Sequence, residues 1–228
     1  MCHASGSLKS TVLSNAKVAG ALIYSIHPMF AFSNKNIQIK ELENIYFSIE
    51  GDLNTESTHN IPVVELMNIL GNRYFQRNLN DSSTYHLANV FVSNLVLSLL
   101  EIGTGYLRKL GLSEEDSLNA LFPLIQGNLD NINANGFVKS LTGPVARGDI
   151  NTIKKHLEVL RKEDKTIYNS LSLNLLKLAQ KGCQDDYECD RNTEINRKSS
   201  EKSENAAEKY INLSEKYAEI FKLLGGAE

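Results

Sequence analysis

Four clusters of polar residues carry the types and spacings that chemistry needs. The first is His3-Ala-Ser5-Gly6-Ser7, small and polar, directly before a helical pattern. Backbone N–H groups at a helix start bind anions, so this stretch reads as a ligand turn or, equally, as a plain capping turn. The second is Ser25-Ile-His27-Pro28, closing an apolar run of strand length. Ligands of open α/β sheets bind beyond the carboxyl ends of strands, which gives His27 a site role or the role of a structural hydrogen-bond partner. The third joins Tyr85 and His86 to Asn89, Ser93 and Asn94, a polar stripe along one side of a helix. His86 there suits general acid or base work near neutral pH, and a satisfied polar network explains the same stripe. The fourth is Thr142-Gly-Pro followed by Arg147-Gly-Asp149. Arg147 can fork onto a carboxylate or phosphate, or pair with Asp149 and lock the loop. No metal site is expected: Cys2, Cys183 and Cys189 lack zinc spacing, and read as free thiols or as a reversible Cys183–Cys189 pair.

These residues need elements to position them. Leu8 to Ala19 reads as a short helix with Ser7 as its cap, followed by strands at Ala21 to Ile26 and Ile45 to Glu50. Pro28 ends the first of them, because proline cannot donate to a ladder. Pro62 marks the start of a helix running to Leu70, and Tyr74-Phe75 lies in a third strand. Strands alternating with helices imply a parallel sheet with helices on its faces. From about Asp81 onward everything reads as helix or loop. The pattern gives one long helix from Tyr85 to Leu110, then a helix from Ser113 to Phe122-Pro123. A further helix spans Leu124 to Ala134, and an interrupted loop Val138 to Gly148. Asp149 caps a helix to Leu160, and another covers Thr166 to Ala179. The fold class is α/β followed by all-α, divided at 1–80 and 81–228. Residues 182–203 form a charged insert too poor in apolar groups to fold alone, and the last helix has one apolar face that docks on the helical domain or a second subunit.

Composition excludes several classes. A chain of 228 residues, 42% hydrophobic and 22% charged, buries an ordinary core without disulfide staples. Its net charge of -3 gives no footprint for nucleic acid. The apolar run Val90 to Leu100, broken by Ser93, Asn94 and Ser98, falls short of the about 20 apolar residues a bilayer span needs. With no signal peptide pattern, a cytoplasmic protein without a membrane partner is expected.

Taken in order, His3-Ala-Ser-Gly-Ser, Ser25-Ile-His-Pro, Phe47…Ile49-Glu-Gly-Asp52, Tyr85-His86…Ser93-Asn94 and Leu141-Thr-Gly-Pro-Val-Ala-Arg-Gly-Asp149 resemble one family. It is a group of uncharacterised Rossmann-like NAD(P) oxidoreductases whose helical C-terminal half is a domain of unknown function. They are related in architecture to pyrroline-5-carboxylate reductase, prephenate dehydrogenase and the 6-phosphogluconate-dehydrogenase-like enzymes. The resemblance implies NADP or NAD as cofactor, with Ser5, Gly6, Ser7 and Pro28 near its nicotinamide end. It implies hydride transfer to or from a small carbonyl, imine or alcohol, the proton being handled by His86 or His27. Substrate contacts then fall to Tyr85, Asn89, Asn94, Thr142 and Arg147, and the long helix builds a homodimer. The chain departs from the pattern in two places. No strand and G-x-G-x-x-G turn precede His3, so the nucleotide-binding front is expected to be missing. Ser82 stands where many members carry a lysine. Two functions follow, an oxidoreductase or a non-catalytic helical oligomerisation remnant. Loss of leading strands should also leave the edge of the Ala21 to Ile26 strand open to pairing.

Overall fold

The computed structural model describes residues 1–32, 36–53, 62–195 and 200–226, with side chains left out for 189–195 and 200–207. Contacts divide the chain into two compact units, Met1–Gly103 and Thr104–Glu228.

The first unit is built on a four-stranded sheet in the order β1 (Cys2–His3), β2 (Tyr24–Pro28), β3 (Tyr46–Gly51), β4 (Arg73–Gln76). The outer pairings are parallel, whereas β2 and β3 run antiparallel, against the all-parallel expectation. The reason lies in the link between them. Among its described residues it carries only α2 (Ile39–Leu42), a single helical turn, and a parallel return needs a crossover that covers the sheet. β2 is also an interior strand, flanked by β1 and β3, so the open edge expected at Ala21 to Ile26 does not exist. The edge belongs instead to β1, only two residues long.

Period-two alternation splits the sheet into two unlike faces. Tyr24, Ile26, Phe47, Ile49 and Tyr74 point one way and pack under Val63 and Met67 of α3 (Pro62–Leu70), forming the core of the unit. The cross-strand pairs Ser25–Glu50, His27–Ser48 and Ser48–Phe75 share the other face, which is mostly polar, with Ser25, Ser48 and Glu50 buried, His27 half-buried and Phe75 exposed. Ser7 caps no helix: Ser5 Oγ accepts from Leu8 N–H at 3.3 Å, a 3-10 turn begins only at Ser10, and α1 (Ser14–Val18) has five residues. Glu50 ties this segment to the sheet by accepting from Ser10 N–H and Oγ–H at 2.8 and 2.6 Å.

The long helix expected from Tyr85 to Leu110 is two, α4 (Ser82–Val92) and α5 (Asn94–Lys109). The break is Ser93, whose hydroxyl donates to Asn89 O at 2.7 Å and competes with the helical ladder. Together Ser82–Lys109 spans 28 residues at a mean hydropathy of 1.5 over its most apolar window, with 6% of that window buried. By length and composition that is enough to cross a membrane, so an exclusion built on Val90 to Leu100 alone does not hold.

In the second unit, α6 (Glu114–Ser140) runs through Pro123 where two helices were expected, and its one non-helical residue is Gly136. Ser113 caps it by accepting from Asp116 N–H at 3.0 Å. The interrupted loop folds instead into α7 (Gly143–Arg147), with Pro144 in its first turn and Gly148 in the left-handed region after it. Asp149 caps α8 (Ile150–Val159) as expected, accepting from Thr152 N–H at 3.0 Å. The helices α9 (Lys165–Ile195) and α10 (Ser200–Leu223) both reach into the segment expected to be an unstructured insert. Val145, Ile153, Leu176, Ala179, Tyr217, Ile220 and Leu224 form the core that α7 to α10 share. The last helix therefore docks within its own unit.

Candidate functional site

The polar sheet face gathers most of the candidates of the first unit. β2 carries Ser25 and His27 side by side on it, and α4 lays Tyr85 across it. His27 Nδ1 lies 2.6 Å from Tyr85 Oη, with the two rings edge-to-face at 5.5 Å. Gly6 backs the imidazole: a β-carbon there would stand 3.0 Å from Cδ2 and Nε2. The turn holding Gly6 is set by His3, whose Nδ1 accepts from Ser5 N–H at 3.2 Å while its Nε2 meets Lys9 O at 3.1 Å. Ser25 Oγ–H donates to Ser5 O at 3.1 Å and clamps turn to strand. His3 is thus a structural ring with both nitrogens engaged.

Beneath Tyr85 lies a residue that the motif reading passed over. Arg77, just past β4, is 7% exposed, and its guanidinium sits 5.0 Å from the Tyr85 ring centroid. Nε donates to Ser48 Oγ at 2.7 Å, one terminal nitrogen to Ser82 Oγ at 2.6 Å, and the other to Ser25 Oγ at 2.7 Å. Among the described residues it makes no ion pair. A charge buried without a carboxylate is costly, and among the described residues the hydrogen bonds of this guanidinium go to three neutral hydroxyls. The only sequence signal was the serine at 82 where a lysine was expected; the cation comes from Arg77 instead.

Burial pushes the His27 imidazole below its ordinary range, and the Arg77 and His86 charges add to the effect. Burial also holds the Tyr85 phenol above its ordinary value, opposed by hydrogen bonding from Ser48 and Asn89 and by the Arg77 charge. At neutral pH the pair is an uncharged imidazole beside an intact phenol.

The other candidates divide. His86 is exposed on α4 and acts on His27 through its charge. Asn89 is half-buried and donates to Tyr85 O at 2.8 Å. Pro28 ends β2 beside His27, and Ser5 and Ser7 join through their hydroxyls at 3.3 Å. Asn94 does not continue the stripe: it is exposed beyond the break and accepts from Ser93 Oγ–H at 3.1 Å. Thr142 and Arg147 are exposed residues of the second unit. There Arg147 makes no ion pair with Asp149, which is taken up by the cap on Thr152. A cavity of about 490 Å³ opens past the carboxyl ends of β3 and β4, lined in part by Ser14, Lys17, Asp52 and Arg77. Its carboxylates serve structure, Asp52 being held by Lys17 and by Ile23 N–H. No group of His, Cys, Asp and Glu able to hold a metal occurs among the described residues.

Fold and site define a class: a small mixed sheet of Rossmann-like kind carrying a half-buried histidine–tyrosine pair, followed by a mostly helical region. Residues 45–175 match the family described as domain of unknown function DUF2520, and the chain belongs to that family. Among solved structures it is similar to protein TM1727 from Thermotoga maritima at 29% identity and a TM-score of 0.59, covering 81% of this chain and 69% of that one. It also resembles a Bacteroides fragilis protein, BF3122, whose name reads "putative NADP oxidoreductase". There the identity is 23% and the TM-score 0.60, over 78% of this chain and 64% of that one. No curated protein shows significant similarity to the chain.

Proposed function

We propose that the chain belongs to an NAD(P)-dependent oxidoreductase acting on a small carbonyl, imine or alcohol, with the His27–Tyr85 pair handling the proton. The observation that carries this reading is the 2.6 Å contact between His27 Nδ1 and Tyr85 Oη, half-buried at the carboxyl end of β2 beside Gly6. The name of the Bacteroides fragilis neighbour supports it. Gly6 leaves no room for a side chain, and the hydroxyls of Ser5 and Ser7 beside it are neutral donors and acceptors. Such a flat, small, uncharged surface fits a planar ring bearing a carboxamide, so Ser5, Gly6, Ser7 and Pro28 would hold the nicotinamide end. When bound, that ring supplies or takes the hydride. The chain's own residues orient the reacting oxygen or nitrogen, keep water from it and exchange one proton with it.

The test is saturation-transfer NMR with NADPH and NADH on the 228-residue chain. Saturation of the nicotinamide protons, lost when Tyr85→Phe and Gly6→Val are combined, supports the reading. No transfer to either nucleotide favours the non-catalytic helical oligomer.

The partners proposed with this function are a small-molecule substrate and a second copy of the chain, in the cytoplasm. Leu87, Phe91, Leu95 and Leu99 recur every fourth residue along α4 and α5, each at least 40% exposed, and a partner helix pair would cover them. Light scattering should report a dimer that Phe91→Asp dissociates. A monomer that partitions onto lipid vesicles instead would contradict this.

A further inference from the structure

Every group that reaches the Tyr85 oxygen from the sheet side is a hydrogen-bond donor or has been turned into one. Ser48 Oγ accepts from Arg77 Nε, which leaves its own hydrogen for the phenol oxygen. His27 presents Nδ1 at 2.6 Å. Arg77 fixes this arrangement, anchored on three strand and helix serines, with its guanidinium carbon 5.0 Å from the centroid of the Tyr85 ring. Such a shell is poor at accepting the phenol's hydrogen and good at holding a negative oxygen. That oxygen is also a negative partner for Arg77, which makes no ion pair among the described residues.

We propose that Arg77 is the positioning residue that makes Tyr85 the proton donor of the site. In this arrangement the neutral His27 carries its hydrogen on Nδ1 and donates it to Tyr85 Oη, so the phenol hydrogen points to the substrate. It rests on the hydride-transfer reading above. When bound in the reductive direction, a dihydronicotinamide would supply the hydride to the carbonyl carbon; the part of Tyr85 is to give up its hydrogen, its O–H bond breaking as a new O–H bond forms on the former carbonyl oxygen. The electron pair left on Tyr85 is balanced by Arg77. Nε2 takes a proton from solvent as the Nδ1 hydrogen passes back to the phenolate, so no imidazolate forms, and the ring regains its Nδ1-protonated form by proton exchange with solvent. The charged and titratable groups facing the pair are Arg77 beyond β4, Glu50 on β3 with both oxygens on Ser10, His86 on α4 and the engaged His3 on β1.

The experiment uses the 228-residue chain without nucleotide, so its outcome is independent of whether a cofactor binds. Nitrogen-labelled histidine reports the His27 tautomer, and ring-carbon-labelled tyrosine reports ionisation of Tyr85, assigned by its loss in Tyr85→Phe. The expected result is a protonated Nδ1 in the wild type, and a Tyr85 ionisation constant about tenfold or more weaker in Arg77→Gln, largely restored in Arg77→Lys. An unprotonated Nδ1 in the wild type, or a Tyr85 midpoint unmoved by Arg77→Gln, overturns the proposal. Should Arg77→Gln not fold, the wild-type tautomer decides alone.

Discussion

Gly6 and His27 are packed so closely that any side chain on the first must displace the second, since even a β-carbon would meet two ring atoms at 3.0 Å. The backbone at Gly6 needs no left-handed conformation, so the constraint is one of space rather than strain. Gly6→Ala should therefore leave the fold intact at a cost of about 1 kcal/mol, within the range for overpacking, while moving the imidazole off Tyr85. Urea unfolding measures the first, and the His27 ring resonances the second. Unchanged resonances would separate Gly6 from the site.

Stability should fall with acid in a window set by His27. Its imidazole is held below the ordinary value, by burial first and by Arg77 and His86 next, so the unfolded chain binds a proton before the folded one does. This contribution is complete above about pH 6.5 and is lost as pH falls from there through the lower folded value. His27→Gln should flatten that part of the stability profile, measured by urea unfolding at stepped pH. An identical slope in the variant would show that other groups govern it.

Gly51 closes β3 at φ +136°, and a β-carbon there would lie 2.1 Å from the Ile23 carbonyl oxygen. Backbone cannot yield as a flexible side chain does, and the left-handed region adds its own cost of about 1–2 kcal/mol. Gly51→Ala should part β2 from β3 and unfold the first unit. Circular dichroism and proteolysis check this, and a variant with wild-type melting would refute the placement of Gly51.

In the second unit the hierarchy of contributions can be ranked. Tyr217 Oη–H donates to Ala146 O at 2.8 Å, and burial with the Cys183 charge pushes its phenol up to about 12. Removing that one hydrogen bond in Tyr217→Phe should cost about 1 kcal/mol. Asp149→Ala should cost a similar amount through loss of the α8 cap. Ile153 and Ile220, both fully buried, should cost about 2–5 kcal/mol each as alanine. Denaturant midpoints that invert this order would contradict the core described.

The sequence made β2, β3, β4 and several helix starts legible because their signals are local, while the two-residue β1 carried none. Pro62 and Ser113 at helix starts, Asp149 as a cap, and the apolar runs of β2 and β3 each act within a few residues. What escaped it was set by distant contacts. The antiparallel β2–β3 pairing depends on a link without a covering helix, and the helix break at Ser93 on where one hydroxyl hydrogen goes. Arg77 is a lone arginine in a stretch without a motif, and only the register that aligns Ser25, Ser48 and Ser82 around it gives it meaning. Tyr85 was legible as a candidate, but its partnership with His27 joins residues 58 positions apart.

The central claim is that Gly6, His27 and Tyr85 form the nicotinamide end of a cofactor site, and calorimetric titration of NADPH into the chain tests it most directly. Micromolar binding is the expected result, reduced about tenfold or more by Gly6→Val and left unchanged by Tyr217→Phe in the second unit. No heat up to millimolar nucleotide, or equal affinity in wild type and Gly6→Val, would contradict it.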